Sequence, residues 1–180
     1  MLQILYPTVS FNFINAGISG DSAKGGLRRL ERDVLSYHPD LVIVGFALND
    51  STEGEKGLAD YKQAMTEMLS RIRAQGAESI VLTPNAMNTT VSCHLKEKPL
   101  VKFAEKFRKI QTEGVLDLYA DAAREVAAAC GARVCDVYAQ WKKMIDAGVN
   151  VTELLANKLN HPIRQMHYLT AMMLVECILN

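Results

Sequence analysis

Three short stretches carry groups suited to polar bond-breaking chemistry. The first is AGISGDS, residues 16–22. Gly17 and Gly20 permit backbone conformations closed to other residues, and a turn leading into a helix presents backbone N–H groups that lack partners. A Gly20 N–H placed there is suited to stabilising an oxyanion. The second is FALNDS, residues 46–51, where the Asn49 amide donates to developing negative charge without changing its own charge. The third is NKLNHPIRQ, residues 157–165. Pro162 biases His161 toward an extended backbone just before the last helix, and an imidazole held there is suited to general-base work. Each stretch also has a plain structural reading: a strand-to-helix turn, an Asx-type turn and a packing histidine. His38, His94 and His167 are weaker candidates, and helix packing or capping accounts for His167.

The elements that must position these groups alternate in type. VSFNFINA (residues 9–16) reads as a strand, rich in β-branched and aromatic residues. A helix follows with Asp21 or Ser22 as N-cap and Leu27, Leu30, Val34 and Leu35 on one face. PDLVIVGFAL is a continuous apolar run, as expected of a central strand buried on both faces. A helix carrying Leu58, Tyr61, Met65, Met68, Leu69 and Ile72 at helical spacing stops at Gly76. SIVLTP is a third strand, followed by a polar loop from Asn85 to about Glu97 of the length that is often functional. A helix from about Val115 to Cys130 ends at Gly131, ARVCDVY makes a fourth strand, and a closing helix covers about Arg164 to Leu179. Alternating strands and helices predict one α/β domain over residues 1–180, a three-layer α/β/α sandwich around a parallel sheet. Polar residues gather where strands end, at residues 17–22, 49–50 and 83–88, and open parallel sheets place their sites at that rim.

Composition narrows the partners. Lysine plus arginine number 20, as do aspartate plus glutamate, so no charge imbalance points to nucleic acid or an anionic membrane. The basic stretch from Lys96 to Lys109 includes Glu97 and Glu105 and reads as a solvated helix face. Cys93, Cys130, Cys135 and Cys177 show no Cys-x-x-Cys pairing, so neither a disulfide framework nor a zinc site is expected, and no metal or cofactor is assigned. No apolar run approaches the roughly 20 residues that span a bilayer, and the first residues lack a signal-peptide pattern.

Taken together, the pieces resemble the SGNH hydrolase superfamily, also called GDSL lipases and esterases. INAGISGDS with the LRRLERDVLSYHPDLVIV after it is similar to the family's second block and the helix and strand that follow. LND in GFALNDS is similar to the third block, and NHP before a helix to the fifth. The resemblance implies the family's flavodoxin-like sandwich and a serine esterase acting on a small ester, an acetylated carbohydrate among the options. It implies Gly20 and Asn49 as oxyanion donors, His161 as the base, and a substrate pocket shaped by TPNAMNTTVSCH, residues 83–94. Ser22 then belongs to the second block, as a helix N-cap rather than a nucleophile.

Two departures from the family pattern matter. The family's nucleophilic serine lies in a first block, on a strand that would sit between residues 9–16 and the strand beginning at Leu41. No such block is present, and LQILYP is similar to the tail of the helix that would follow it. The chain is therefore expected to be a fragment of a longer product, inactive without that segment and with two apolar strand edges facing a gap. In the last block Lys158 stands where the family usually has the aspartate that orients the imidazole, and no carboxylate lies nearer than Glu153. Ala47, where glycine is common in the third block, is expected to matter little. The competing expectation is a non-catalytic carbohydrate-binding or scaffold protein that keeps the fold. A flavodoxin-like nucleotide binder lacks support, since GISGDSAKGG holds neither Gly-x-Gly-x-x-Gly nor a Walker lysine–serine pair.

Overall fold

The computed structural model describes residues 2–179. Its elements run α1 (Leu2–Leu5), α2 (Ala23–Asp33), β1 (Leu41–Val44), α3 (Leu58–Ala74), β2 (Glu78–Leu82), α4 (Lys98–Thr112), α5 (Val115–Cys130), β3 (Arg133–Cys135), α6 (Val137–Asp146) and α7 (Arg164–Leu179). The three strands form a parallel sheet in the order β1-β2-β3, with Ile43 opposite Ile80, Val44 opposite Val81 and Val81 opposite Val134.

Side chains alternate across the sheet, and each face is covered by helices. Val44 and Val81 pack with Leu30 of α2, with Tyr61, Met65, Met68 and Ile72 of α3, and with Ala123 and Val126 of α5. Ile80 and Cys135 face the other way, into Ile110 of α4, Leu116 and Ala120 of α5, Tyr138 and Trp141 of α6, and Met166 of α7. The result is the expected α/β/α sandwich. The methionines of α3, Met65 and Met68, are core, as is Met87. The helix ends follow sequence signals, with Pro99 in the first turn of α4 and Gly131, at φ 70°, closing α5. The four cysteines are free thiols, and burial raises that of Cys135 to about 11.

One expected strand is absent, and the run at β1 is less buried than expected. Residues 9–16 form no strand; Val9, Phe13 and Ile14 stand exposed, and Phe13 reaches 75%. β-branched and aromatic residues favour a pleated surface only when a neighbouring strand supplies hydrogen bonds. The recorded contacts of this segment are local or to side chains, such as the Arg29 guanidinium donating to the Ala16 carbonyl. β1 pairs on one side only, with its open edge where the first block's strand was expected to be missing. It is an edge strand of four residues, with Ile43 at 44% exposure, rather than the doubly buried central strand that its apolar run suggested.

One cluster ties the sheet to the helices at the rim. The Thr83 hydroxyl, just past β2, donates to Asp136 Oδ1 at 3.0 Å and accepts from the Tyr138 N–H. Asp136 also caps α6 through the Ala139 N–H and takes both arms of the Arg124 fork at 2.9 and 3.0 Å. Burial works to raise the Asp136 carboxyl, but the Arg124 fork, the Ala139 N–H and Thr83 together outweigh it and hold it below the ordinary carboxylate range. Such a group binds fewer protons folded than unfolded. Its stabilisation is present above the unfolded value of about 3.9 and is lost as pH falls through the lower folded one. Asp136→Ala is expected to lower stability near neutral pH by about 1–2 kcal/mol, mainly through the lost cap and fork. Urea unfolding should show the gap to the parent protein narrowing below about pH 4.

Candidate active site

Gly20 sits at φ +74°, exposed in the turn before α2, with no atom within 4 Å of where a side-chain carbon would stand. Here glycine is required twice over. The backbone is left-handed, and the open face lets a ligand approach the main chain. Ser22 follows as the N-cap of α2, its Oγ accepting from the Gly25 N–H at 3.3 Å. That bond satisfies a free N–H of the first helical turn and commits Ser22 to the helix.

Past the end of β1, Asn49 donates from Nδ2 to the Asp21 carbonyl at 2.8 Å. The bond joins the two oxyanion candidates, and the amide keeps a second N–H for a ligand. Asp50 fixes the same junction from below. It is 9% exposed, and its Oδ1 accepts from the Ala23 N–H at 2.8 Å while Oδ2 accepts from the Ala47 N–H at 3.1 Å. Burial raises its pKa, and these backbone donors pull against that rise. Gly20, Ser22, Asn49, Asp50, Thr52 and Tyr61 line one cleft of about 600 Å³. The Tyr61 hydroxyl is buried there without a hydrogen-bond partner, and burial pushes its pKa up.

Ala47 corrects the expectation of a harmless exchange. It is fully buried with φ +119°, in the region that favours glycine. Backbone strain of this kind costs about 1–3 kcal/mol, against about 0.5–1 kcal/mol for glycine's extra unfolded freedom and about 0.8 kcal/mol for a lost buried methyl. Ala47→Gly is therefore expected to stabilise the fold by about 0.5 kcal/mol, read as a slightly higher urea midpoint at an unchanged slope.

His161 is held by a different device. Leu155 and Pro162 form an antiparallel bridge, and the Ala156 N–H donates to the His161 carbonyl at 2.7 Å. Within this hairpin, Asn157 Oδ1 accepts from the N–H groups of Leu159, Asn160 and His161, each at 3.0 Å. The loop docks on the segment after β2, where the Asn85 amide donates to the Asn160 carbonyl and the Asn88 N–H to the Leu159 carbonyl. His161 is exposed, and among the described residues its imidazole has no hydrogen-bond partner. The structure thus brings Gly20 and Asn49 together on one cleft. His161 stands on a separate loop, docked on residues 85–88, and does not line that cleft.

The carboxylate question resolves against Glu153. Lys158, at φ 58°, reaches Glu153 Oε2 at 2.8 Å, and this lysine holds the Glu153 carboxyl below its usual range. Residues 83–94 also differ from expectation. Ala86, Met87 and Asn88 are fully buried, the N–H groups of Thr89 and Thr90 both donate to the buried Thr152 hydroxyl oxygen, and the segment lines neither cleft beside Gly20. The sequence reading passed over Asp50 and Asn157. The signals were present: an aspartate beside the strand-end asparagine, and an asparagine two to four residues before the N–H groups that it caps.

Residues 2–169 match the GDSL-like lipase/acylhydrolase family. Esterase TesA of Pseudomonas aeruginosa is 35% identical over 72 residues, covering 40% of this chain and 35% of the relative. An acetylxylan esterase of Geobacillus stearothermophilus is 36% identical over 50 residues, 28% of this chain and 23% of the relative. The matched stretches thus span about a third or less of these relatives' lengths. Among solved structures, a catalytic mutant of Axe2, an acetylxylan esterase from Geobacillus stearothermophilus, aligns with a TM-score of 0.75 at 19% identity, over 98% of this chain and 76% of the other. The acetyl xylan esterase AlAXEase aligns with a TM-score of 0.73 at 17% identity, over 97% and 85%. These likenesses establish the fold.

Proposed function

The chain belongs to the GDSL-like lipase/acylhydrolase family, and we propose that its rim serves hydrolysis of a small carboxylic ester, with acetylated carbohydrate as the substrate class. The observation that carries this reading is the shared cleft of Gly20 and Asn49, locked by the Asn49–Asp21 bond. An ester carbonyl seated there meets the Gly20 N–H and the free N–H of Asn49. Attack by a serine hydroxyl forms the carbon–oxygen bond and moves the carbonyl electrons onto oxygen, where these donors stabilise them. His161 takes the hydroxyl proton and returns it to the departing alcohol. Water then repeats the sequence and releases the acid.

Ser22 is not the attacking group, because its oxygen serves α2. The serine is delivered by a further strand that adds beside β1. Two features favour that route: β1 has an unpaired edge with a half-exposed Ile43, and its C-terminal end leads straight to Asn49. The test is turnover of p-nitrophenyl acetate and of acetylated xylo-oligosaccharides by the chain together with the strand that supplies the serine. Turnover blocked by a serine-directed phosphonate supports the proposal; neither turnover nor labelling overturns it. The Lys158–Glu153 pair favours a second reading, a carbohydrate-binding protein that keeps the fold without the chemistry. It expects oligosaccharide binding with no phosphonate labelling.

A further inference from the structure

Gly20 also borders a second cleft, of about 520 Å³, whose wall carries Arg28, Arg29 and Arg32 of α2. The sequence AKGGLRRLERD sets Arg28 and Arg32 four residues apart, hence one above the other on the helix, with Arg29 beside them. Two of the three are already committed. Arg29, 13% exposed at its side chain, donates to Asp21 Oδ2 at 2.7 Å and to the Ala16 carbonyl, and reaches Asp33 at 3.5 Å. Arg32 forks onto Asp33 at 2.6 and 3.1 Å. Asp21, the one acidic residue of the wall, is satisfied by Arg29 and by the Ser22 N–H. Arg28 has no ion pair or hydrogen bond among the described residues. The wall therefore offers one uncommitted guanidinium fork, backed by positive charge that Asp21 and Asp33 only partly offset.

We propose that this cleft is a subsite for a carboxylate carried by the substrate itself. The inference rests on the ester-hydrolase reading of the rim and narrows it to acidic substrates, such as an acetylated uronic-acid sugar. A guanidinium fork matches a planar carboxylate with two parallel hydrogen bonds, and a single free fork matches a single negative charge. A phosphate dianion would call for more uncommitted donors than Arg28 supplies. Because Gly20 belongs to both clefts and its outward face is open, one ligand spans them. Its carboxylate sits on Arg28 and its ester carbonyl at the Gly20 N–H.

The test is binding, which needs no nucleophile. Methyl β-D-glucuronide and methyl β-D-glucoside differ at this subsite by the carboxylate. Titration of the chain with each, followed by amide NMR shifts at low ionic strength, is expected to show the glucuronide binding about tenfold more tightly, with shifts centred on residues 18–32. Arg28→Ala is expected to erase that preference and Arg28→Lys to keep part of it; Arg28 is exposed, so both variants should fold. Added salt should weaken the glucuronide selectively. Equal binding of the two sugars, a preference that survives Arg28→Ala, or inorganic phosphate binding more tightly than the glucuronide would each overturn the subsite. Neutral-ester turnover with no carboxylate preference would overturn it while sparing the hydrolase reading. Carboxylate binding by the chain, with no turnover or phosphonate labelling even when the serine-bearing strand is supplied, would sink the hydrolase reading alone.

Discussion

Replacing Asp50 with alanine is expected to lower the unfolding free energy by about 3–4 kcal/mol and to loosen the cleft even in molecules that stay folded. The carboxylate takes hydrogen bonds from the N–H groups of Ala23 and Ala47, and both of these residues are fully buried. A hydrogen bond to a charged group contributes about 1.5–3 kcal/mol, and a buried donor left without a partner costs about 1–3 kcal/mol. The estimate stays near the lower part of that sum because burial of the charge, seen in the raised pKa, offsets part of the gain. Asp50→Asn separates the two effects. It removes the charge, but its NH₂ group would confront one N–H donor with another, so one of the two bonds is lost. Urea titration should rank the parent above Asp50→Asn and Asp50→Ala lowest. An alanine variant within 1 kcal/mol of the parent, roughly an ordinary surface change, would contradict this role.

His161→Ala is expected to lower kcat for ester hydrolysis by about 10²–10⁴, with little change in KM, because the imidazole moves a proton and does not anchor the substrate. The measurement belongs in the catalytically competent protein, with p-nitrophenyl acetate as substrate. The loss should be smaller with p-nitrophenyl acetate than with an acetylated sugar, since p-nitrophenolate leaves without needing a proton and a sugar alkoxide does not. That difference separates a general acid–base role from a structural one, which would depress both substrates alike. His161 lacks a carboxylate partner, and the three bonds to Asn157 Oδ1 fix its backbone rather than its ring. Under the proposed mechanism the base works as half of a Ser–His dyad, with no assigned carboxylate beside the imidazolium.

Much of the architecture could be read before any coordinates. α5 and α7 begin and end where apolar spacing and terminal glycines placed them. β2 overlaps the expected SIVLTP run, β3 takes only the start of ARVCDVY, whose Val137 and Tyr138 open α6, and Ser22 caps α2 as its position suggested. Residues 9–16 were misread because β propensity is local whereas a strand exists only with its neighbour. In the site, the meeting of Gly20 with Asn49 was legible, since both follow strand-like segments that lead to one rim. Asp50 was passed over although its place beside the strand-end asparagine was a signal, because its partners are backbone N–H groups that residue types do not name. Ala47 was underrated for a related reason: a letter reveals nothing of a φ of +119°.

The β1–β2 ladder has a further consequence. The Asn49 amide rides on the end of β1, whereas the His161 hairpin is moored to the chain leaving β2. The two groups share no direct bond, so their spacing is transmitted through the pairing of Leu41 with Glu78 and Val44 with Val81. A slip of one residue would move donor and base past each other by about 3.3 Å, more than a hydrogen bond can absorb. The sheet register thus sets the spacing between the Asn49 turn and the His161 hairpin.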